Sequence, residues 1–305
     1  MLFNISCRRF LILCTVLIPP CVFGFSSHGL PTSSFNESFV RLFGNDHVVF
    51  LDDGGKSVEI SLDRSSGSGF ASQLTYLYSY FSASLKLPGN YTAGVVVTYY
   101  TSNAAEHKTN HDEIDFEFLG NTGGNHWTLQ TNLYGNGSTG RGREERYALW
   151  FDPTQDFHAY SILWTSAWIV YYVDDVPVRV VRRVDAMGGD FPSKAMTLLA
   201  TIWDGSDWAT GGGRKKVDYK HAPFIAKYSD FVLYGCHANP GAGEELAAET
   251  CGDIAADLNT FNGLTAEERG KMENFRVKNM MYSYCNDRSR YPTPLPECSA
   301  VGKSS

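Results

Sequence analysis

The chain has 305 residues, with 26 lysines and arginines against 33 aspartates and glutamates, a formal net charge of −7. No basic stripe interrupts this acidic balance, which excludes nucleic acid and polyanionic polysaccharides as ligands and leaves room for a neutral polysaccharide. Beyond the first two dozen residues no stretch is long and apolar enough to span a bilayer.

The first predicted element is a secretory signal peptide over residues 1–24. Arg8 and Arg9 form its positive region, Phe10 to Ile18 its apolar core and Val22-Phe23-Gly24 a cleavage site. The run is too short for a membrane anchor, and Pro19-Pro20 ends it. Its removal takes two basic residues and no acids, so the mature chain holds 24 basic against 33 acidic residues, a net charge of −9. Cys7, Cys14 and Cys21 leave with it, and so does the sequon at Asn4. Further glycosylation sequons stand at Asn36, Asn90 and Asn136.

From Phe35 to about Tyr234 the pattern is one of short strands rich in Val, Tyr, Phe and Thr, cut by Gly, Asn and Asp. Val48 to Leu51, Val95 to Tyr100, Ile169 to Val173 and Met196 to Ala200 are the clearest. Asp52-Asp53-Gly54-Gly55 and Val173-Asp174-Asp175-Val176 supply turns. Many short strands without intervening helices predict an all-β sandwich of jelly-roll type, one domain despite its length. No internal repeat is present.

Within this region His111-Asp112-Glu113-Ile114-Asp115-Phe116-Glu117-Phe118-Leu119-Gly120 carries the chemistry. On a strand successive side chains alternate between faces, so Glu113, Asp115 and Glu117 share one face while Ile114, Phe116 and Phe118 anchor the other. On a helix the three acids would scatter around the cylinder. Crowded like charges resist joint ionisation, so at least one carboxyl is expected to hold a proton near neutral pH. A protonated acid beside a carboxylate is the equipment of a retaining glycosidase. Four strand steps separate the Cα atoms of Glu113 and Glu117 by roughly 13 Å, whereas a retaining pair works with its carboxyls about 5–5.5 Å apart. Two glutamates leaning inward over a concave sheet would close that gap, with Asp115 between them hydrogen-bonded to the nucleophile. A calcium site would want more oxygens from a Gly- and Asn-containing loop, and a solvated edge would mix Lys, Thr and Ser among the acids. His111 lies on the acid face by parity; it either tunes Glu113 or is a structural hydrogen-bonded histidine.

Gln130 and Asn132, two apart on the next strand, share a face, and their amides suit a hydroxyl-rich ligand. Trp203 and Trp208 follow; an indole can stack on a sugar ring, and the Gly- and Asp-rich flanks favour exposure for Trp208 more than for Trp203. After Cys236 the composition shifts. Gly241 to Glu273 holds eight acids against two basic residues. Thr265-Ala266-Glu267-Glu268 is a capping box that predicts a helix turning Met272, Phe275 and Met280 inward, and Pro292, Pro294 and Pro296 end regular structure. The four remaining cysteines, Cys236, Cys251, Cys285 and Cys298, form an even set as exported disulfides would. Three pairings are open, and zinc is disfavoured by the absence of Cys-x-x-Cys.

The chain resembles the xyloglucan endotransglucosylase/hydrolase family, a plant cell-wall branch of glycoside hydrolase family 16. The acid strand HDEIDFEFLG matches that family's catalytic strand without a change. Gly67 to Phe70, Tyr91 to Val96, Leu129-Gln130-Thr131-Asn132, Leu149 to Thr154 with Asp156-Phe157-His158, Val173 to Pro177 and Tyr284 to Asp287 extend the match from about Phe35 to Cys298. The resemblance implies a concanavalin-like β-jelly-roll over residues 25–235 and, over residues 236–305, a short C-terminal extension containing helix that lengthens the cleft. It implies Glu113 as nucleophile, Glu117 as acid/base and Asp115 as their assistant. Glucan contacts implied are Glu117, Gln130, Thr131, Asn132, Gly142, Arg143, Glu144, Asp207, Trp208, Gly212 and Arg290. The implied disulfides are Cys236–Cys251 and Cys285–Cys298.

The sequence departs from the family pattern in three places. The loop holding Gly142-Arg143-Glu144 is two residues longer than the commoner form. Gly211 stands where an Arg usually follows Trp-Ala-Thr. The usual sequon after the catalytic strand fails at Asn121, leaving Asn136 as the nearest substitute. Asn136 to Thr139 together with Trp203 to Ser206 resembles the family's third subgroup. The expected protein is a secreted, monomeric enzyme of the cell wall or apoplast, without cofactor or metal. It cuts xyloglucan and passes the new end to a xyloglucan or oligosaccharide acceptor. The rival expectations are a xyloglucan endo-hydrolase and a lectin-like glucan binder, and the intact acid triplet speaks against the lectin.

Overall fold

The structure is a computed structural model describing residues 25–52, 54–123, 126–239 and 251–299. The signal-peptide segment 1–24, Asp53 of the first predicted turn and residues 240–250 of the acidic stretch lie outside the described residues.

The β-branched and aromatic runs form strands because a pleated ribbon lets alternate side chains enter a core. Among the described residues there are fourteen strands. β1 (Phe39–Phe43), β2 (Val48–Phe50), β3 (Ser57–Leu62), β4 (Ser68–Lys86) and β5 (Val95–Ser102) precede the acid strand β6 (Glu113–Leu119). β7 (Thr128–Tyr134), β8 (Glu145–Ala148), β9 (His158–Trp164), β10 (Trp168–Val173), β11 (Val176–Arg182), β12 (Met196–Asp204), β13 (Phe224–His237) and β14 (Met280–Ser283) follow. The three α-helices among the described residues are short or late in the chain: α1 (Phe35–Ser38), α2 (Gly252–Leu258) and α3 (Ala266–Asn279).

The antiparallel ladder runs β11-β10-β9-β4-β12-β5-β6-β7-β8-β14, with β1 added to β4, β13 joining β3 to β4, and β2 on β3. β4 belongs to both layers of the sandwich. Its first half pairs with β12 from Ser68 to Tyr76, and its second half pairs with β9 from Ser79 to Leu85. Tyr78, with φ of 61°, sits at the corner between them, the kind of irregularity by which a strand changes sheets.

Phe116 and Phe118 of β6 pack across the layers against Tyr160 and Tyr171, with ring centroids 4.7–5.8 Å apart. Polar ties cross the same space. The Tyr171 hydroxyl donates to the Asn132 carbonyl at 2.5 Å, and the Tyr228 hydroxyl donates to the Thr98 carbonyl at 2.9 Å. The site-bearing strands are therefore held from beneath. The predicted turn at Asp174-Asp175 is present, both residues having positive φ (47° and 60°) as a two-residue hairpin loop requires.

The capping box stands: Glu268 N–H donates to Thr265 Oγ1 at 3.2 Å, and Thr265 N–H donates to Glu268 Oε2 at 2.8 Å. Met272 and Phe275 are buried as expected. Met280 packs partly buried against the core, but from outside the helix: its backbone is extended at the C-cap of α3 and opens β14. That four-residue strand pairs with β8 and makes the extension part of the sheet, which the helical pattern had not indicated. Cys236 is bonded to Cys251 and Cys285 to Cys298.

Candidate active site

β6 has the alternation its sequence demands. Ile114, Phe116 and Phe118 are fully buried in the core, and the three acids face the other way. Two devices set the strand's ends. At its start Asp112, fully buried, accepts from the backbone N–H groups of Asn136 (2.7 Å), Ser193 (2.7 Å) and Lys194 (2.9 Å) and from Lys194 Nζ (2.5 Å), which ties two loops to the residue before Glu113. At its end Gly120 passes so close to the Thr92 carbonyl that a Cβ would lie 1.9 Å from the oxygen, so only glycine fits.

Register then assembles the site. Glu113 lies opposite Ser102 and Tyr134, Asp115 opposite Tyr100 and Asn132, and Glu117 opposite Thr98 and Gln130. A cavity of about 310 Å³ is lined by the triplet with Thr98, Tyr100, Asn132, Tyr134, Thr201 and Trp203. Gln130 Nε2 donates to Glu117 Oε2 at 2.5 Å, and Arg143 N–H donates to Asn132 Oδ1 at 2.8 Å.

All three carboxyls are raised, and burial is the first cause in each. For Glu113 the Ser102 hydrogen bond, the charge of His111 and a hydrogen bond with Asp115 act against burial. Asp115 is raised well above its ordinary value, by burial and then by the charges of Glu113 and Glu117. The bond between Glu113 and Asp115 lowers the former and raises the latter, so the shared proton resides on Asp115. Glu117 is pushed up to about 7, by burial first, with the charges of Glu113 and Glu144 adding and Gln130 opposing. Like-charge crowding, the cause expected from spacing alone, comes second to desolvation.

The other sequence-predicted residues divide. Gln130 and Asn132 are on the acid face, as parity required. Thr131 is not: it is fully buried on the core face and accepts from Arg179 Nη1 at 2.9 Å. One step along a strand reverses the side chain, so this position is removed from the sugar-contacting set. Arg143 is also corrected. Its side chain is fully buried and donates to Glu297 (2.5 Å) and Asp190 (2.9 Å), so its guanidinium cannot reach a glucan, while its backbone orients Asn132. Arg290 and Glu144 come together, Nη1 to Oε2 at 2.6 Å, beside Gly142, where a Cβ would lie 2.3 Å from Glu144 Oε1.

Trp208 is half-buried, its ring 6.1 Å from that of Trp203; Asp207 pairs with Lys216 on the surface, and Gly212 (φ 66°) faces open space. Asn36, Asn90 and Asn136 are all exposed. His111 lies edge-on to Tyr134, centroids 6.4 Å apart, and its charge acts on Glu113 as parity suggested. Sequence reasoning gave no role to Tyr100, Tyr134, Thr98 and Thr201, and ranked Trp203 behind Trp208. The alternation Thr201-x-Trp203 and Thr98-x-Tyr100 carried the signal, but only strand order shows that these faces adjoin β6.

Residues 35–221 match the glycosyl hydrolases family 16, and residues 255–298 match the xyloglucan endo-transglycosylase (XET) C-terminus. The probable xyloglucan endotransglucosylase/hydrolase protein 27 of Arabidopsis thaliana is 54% identical over 277 residues, 91% of this chain and 82% of that protein. Probable protein 28 of the same plant is 51% identical over 291 residues, 95% of this chain and 86% of that protein. Among solved structures, the Bacillus licheniformis beta-glucanase has the same fold, with a TM-score of 0.54 at 22% identity over 69% of this chain and 99% of that one. A prokaryotic beta-1,3-1,4-glucanase (lichenase) derived from a mouse hindgut metagenome aligns with a TM-score of 0.50 at 25% identity over 70% and 91% of the two chains. With an acid-bearing jelly-roll sandwich and a C-terminal extension that both find their counterparts, the chain belongs to glycosyl hydrolase family 16 and, within it, to the xyloglucan endotransglucosylase/hydrolase proteins.

Proposed function

We propose that this protein cleaves the β-1,4-glucan backbone of xyloglucan with retention and transfers the new end to an acceptor chain, remodelling the cell wall. Glu113 attacks the anomeric carbon and forms a glycosyl-enzyme ester while Glu117 protonates the departing glycosidic oxygen. Glu117 then takes the proton of the acceptor hydroxyl as that oxygen displaces Glu113. Asp115 holds its own proton against Glu113 and keeps the nucleophile in its charged form. The carrying observation is one cavity in which Glu117 titrates at about 7 while the proton shared with Glu113 belongs to Asp115. Near neutral pH an acid and a carboxylate nucleophile therefore coexist.

Only a covalent intermediate can wait for an acceptor. With acceptor near millimolar and water near 55 M, transfer requires a preference of roughly 10⁴–10⁵, about 6 kcal/mol. In this reading Trp203, Trp208 and the Glu144–Arg290 pair hold the sugar chains that exclude water, with Gln130, Asn132, Gly142, Asp207 and Gly212 as further contacts. The catalytic unit is residues 25–235 and the extension 236–305. The mature monomer is secreted to the apoplast and glycosylated at Asn36, Asn90 or Asn136.

The test is polymer cleavage with and without a labelled xyloglucan oligosaccharide, reading chain length and reducing ends together. Acceptor should accelerate cleavage while few reducing ends appear, and Trp208→Ala should raise the hydrolysed fraction. Release of reducing ends at one rate with or without acceptor would make the enzyme a hydrolase.

A further inference from the structure

Glu117 begins a line of side chains that leaves the cavity across three strands. Gln130 Nε2 donates to Glu117 Oε2 at 2.5 Å, and Arg146 Nε donates to Gln130 Oε1 at 2.6 Å. A guanidinium has donors and no acceptor. The carboxamide oxygen of Gln130 must therefore face Arg146, and its N–H must face the acid. Arg146 lies over the Tyr282 ring, 5.6 Å from the centroid, and the Tyr282 hydroxyl donates to Asp287 Oδ2 at 2.9 Å. Register makes this line a property of the sheet: Glu117 is opposite Gln130, Gln130 opposite Arg146, and Arg146 opposite Tyr282 on β6, β7, β8 and β14.

We propose that Arg146 is a positioning residue for the general acid. By holding the Gln130 carboxamide in one orientation it keeps Oε2 of Glu117 as an acceptor and leaves Oε1 to carry the transferable proton. The proposal rests on the reading of Glu117 as acid/base. Without Arg146 the Gln130 amide is free to turn over. Its carbonyl oxygen would then accept the Glu117 proton, stabilise the protonated acid and withhold that proton from the leaving oxygen. Tyr282 and Asp287 belong to the C-terminal extension, so the extension reaches the acid through this line. The Gln130 hydrogen bond and the Arg146 charge both lower the Glu117 carboxyl against burial, so loss of either moves it further up.

The experiment uses the full mature chain carrying Arg146→Met. With xyloglucan, kcat should fall about 10- to 100-fold while KM stays within about threefold. The alkaline limb of the pH–rate profile should move up by about one pH unit. With an aryl glycoside whose leaving group departs without a proton, the loss should shrink to about threefold or less. Gln130→Met breaks the same line from its middle and, if Arg146→Met does not fold, is read by its alkaline limb and its leaving-group dependence alone, since Gln130 is itself a glucan contact. An unmoved alkaline limb, with equal losses on both donors, overturns the proposal. Glu117→Ala is measured beside them. If it keeps the wild-type dependence on leaving group, the assignment of the acid itself fails; if it behaves as a lost acid and the limb of Arg146→Met stays put, only the positioning role fails.

Discussion

Two groups of buried acids sit on the same sheet and end in opposite states. Asp115 on β6 is 4% exposed and Glu145 on β8 is 3% exposed, so burial is equal. Burial pushes both up, but at Glu145 the charges of Arg179 and Arg276 outweigh it and hold the carboxyl at about 2. Arg276 reaches both Glu145 oxygens, at 2.7 and 2.9 Å, and Ser283 Oγ donates to Oε1 at 2.8 Å. Among the described residues no member of the β6 triplet forms an ion pair. Burial is alike at both places; what differs is contact, since Arg179 and Arg276 pair directly with Glu145 while Arg179 lowers Asp115 only through its charge at a distance. Glu145 is a fixed anion that seams the extension to the sandwich, with Phe275 of α3 packing on Tyr147 of β8, centroids 5.1 Å apart. At the triplet the more distant charges of His111, Arg179 and Arg146 do not outweigh burial, and a proton takes the place of a contact counter-charge.

The largest effect expected from this contrast is chemical. Glu113→Ala should lower turnover of xyloglucan by about 10⁴-fold or more while glucan binding persists, because the rest of the cavity is intact. Azide should restore a glycosyl product of inverted configuration. Near-wild-type activity in this variant, beside a dead Glu117→Ala, would reverse the roles drawn for the two glutamates.

On the other side of the comparison the expected effect is on stability. Glu145→Gln leaves Arg179 and Arg276 facing each other without their anion, which should cost about 3–5 kcal/mol in denaturant unfolding. Glu113→Gln removes a charge that forms no ion pair among the described residues and should cost little or stabilise. Equal losses in the two variants would mean that the seam and the cleft are not electrostatically distinct.

The disulfides come next in size. They span 15 and 13 residues, loops for which closure limits the unfolded chain by about 3 kcal/mol each. Non-reducing peptide mapping should find Cys236 with Cys251 and Cys285 with Cys298. The double variant Cys285→Ser, Cys298→Ser should loosen the seam, seen as a lower Tm, more than it alters donor cleavage at low temperature. Crossed pairing or free thiols would overturn this and the extracellular reading with it.

The smallest effect is a pH dependence of stability. A carboxyl raised from 4.5 to about 7 on folding binds its proton more tightly in the folded chain. That contribution is whole below pH 4.5 and is lost as pH climbs through about 7. Glu117→Gln should therefore match wild type near pH 4 and exceed it by about 3 kcal/mol at pH 8. A constant difference across that range would show that Glu117 ionises as freely in the folded state as in the unfolded one.

The sequence by itself determined the periodic features. Alternation on β6 decides which face the acids share, because the strand repeat is two and any other register would bury charges in the core. The Asp174-Asp175 hairpin turn and the Thr265–Glu268 capping box were legible for the same reason: each is closed by residues a few positions apart. The tertiary structure decided everything that depends on neighbours distant in sequence. Thr131 stands between two cleft residues and serves the core, because its partner Arg179 comes from β11. Arg143 looks like a sugar ligand and is instead a buried cation, because Asp190 and Glu297 close over it. Trp203, Tyr100 and Arg146 reach the site through strand order, which no local pattern encodes. The charge state of an acid belongs to the same class: Glu117 and Glu145 are alike as residues, and only the placement of two arginines from β11 and α3 separates a proton carrier from a permanent anion.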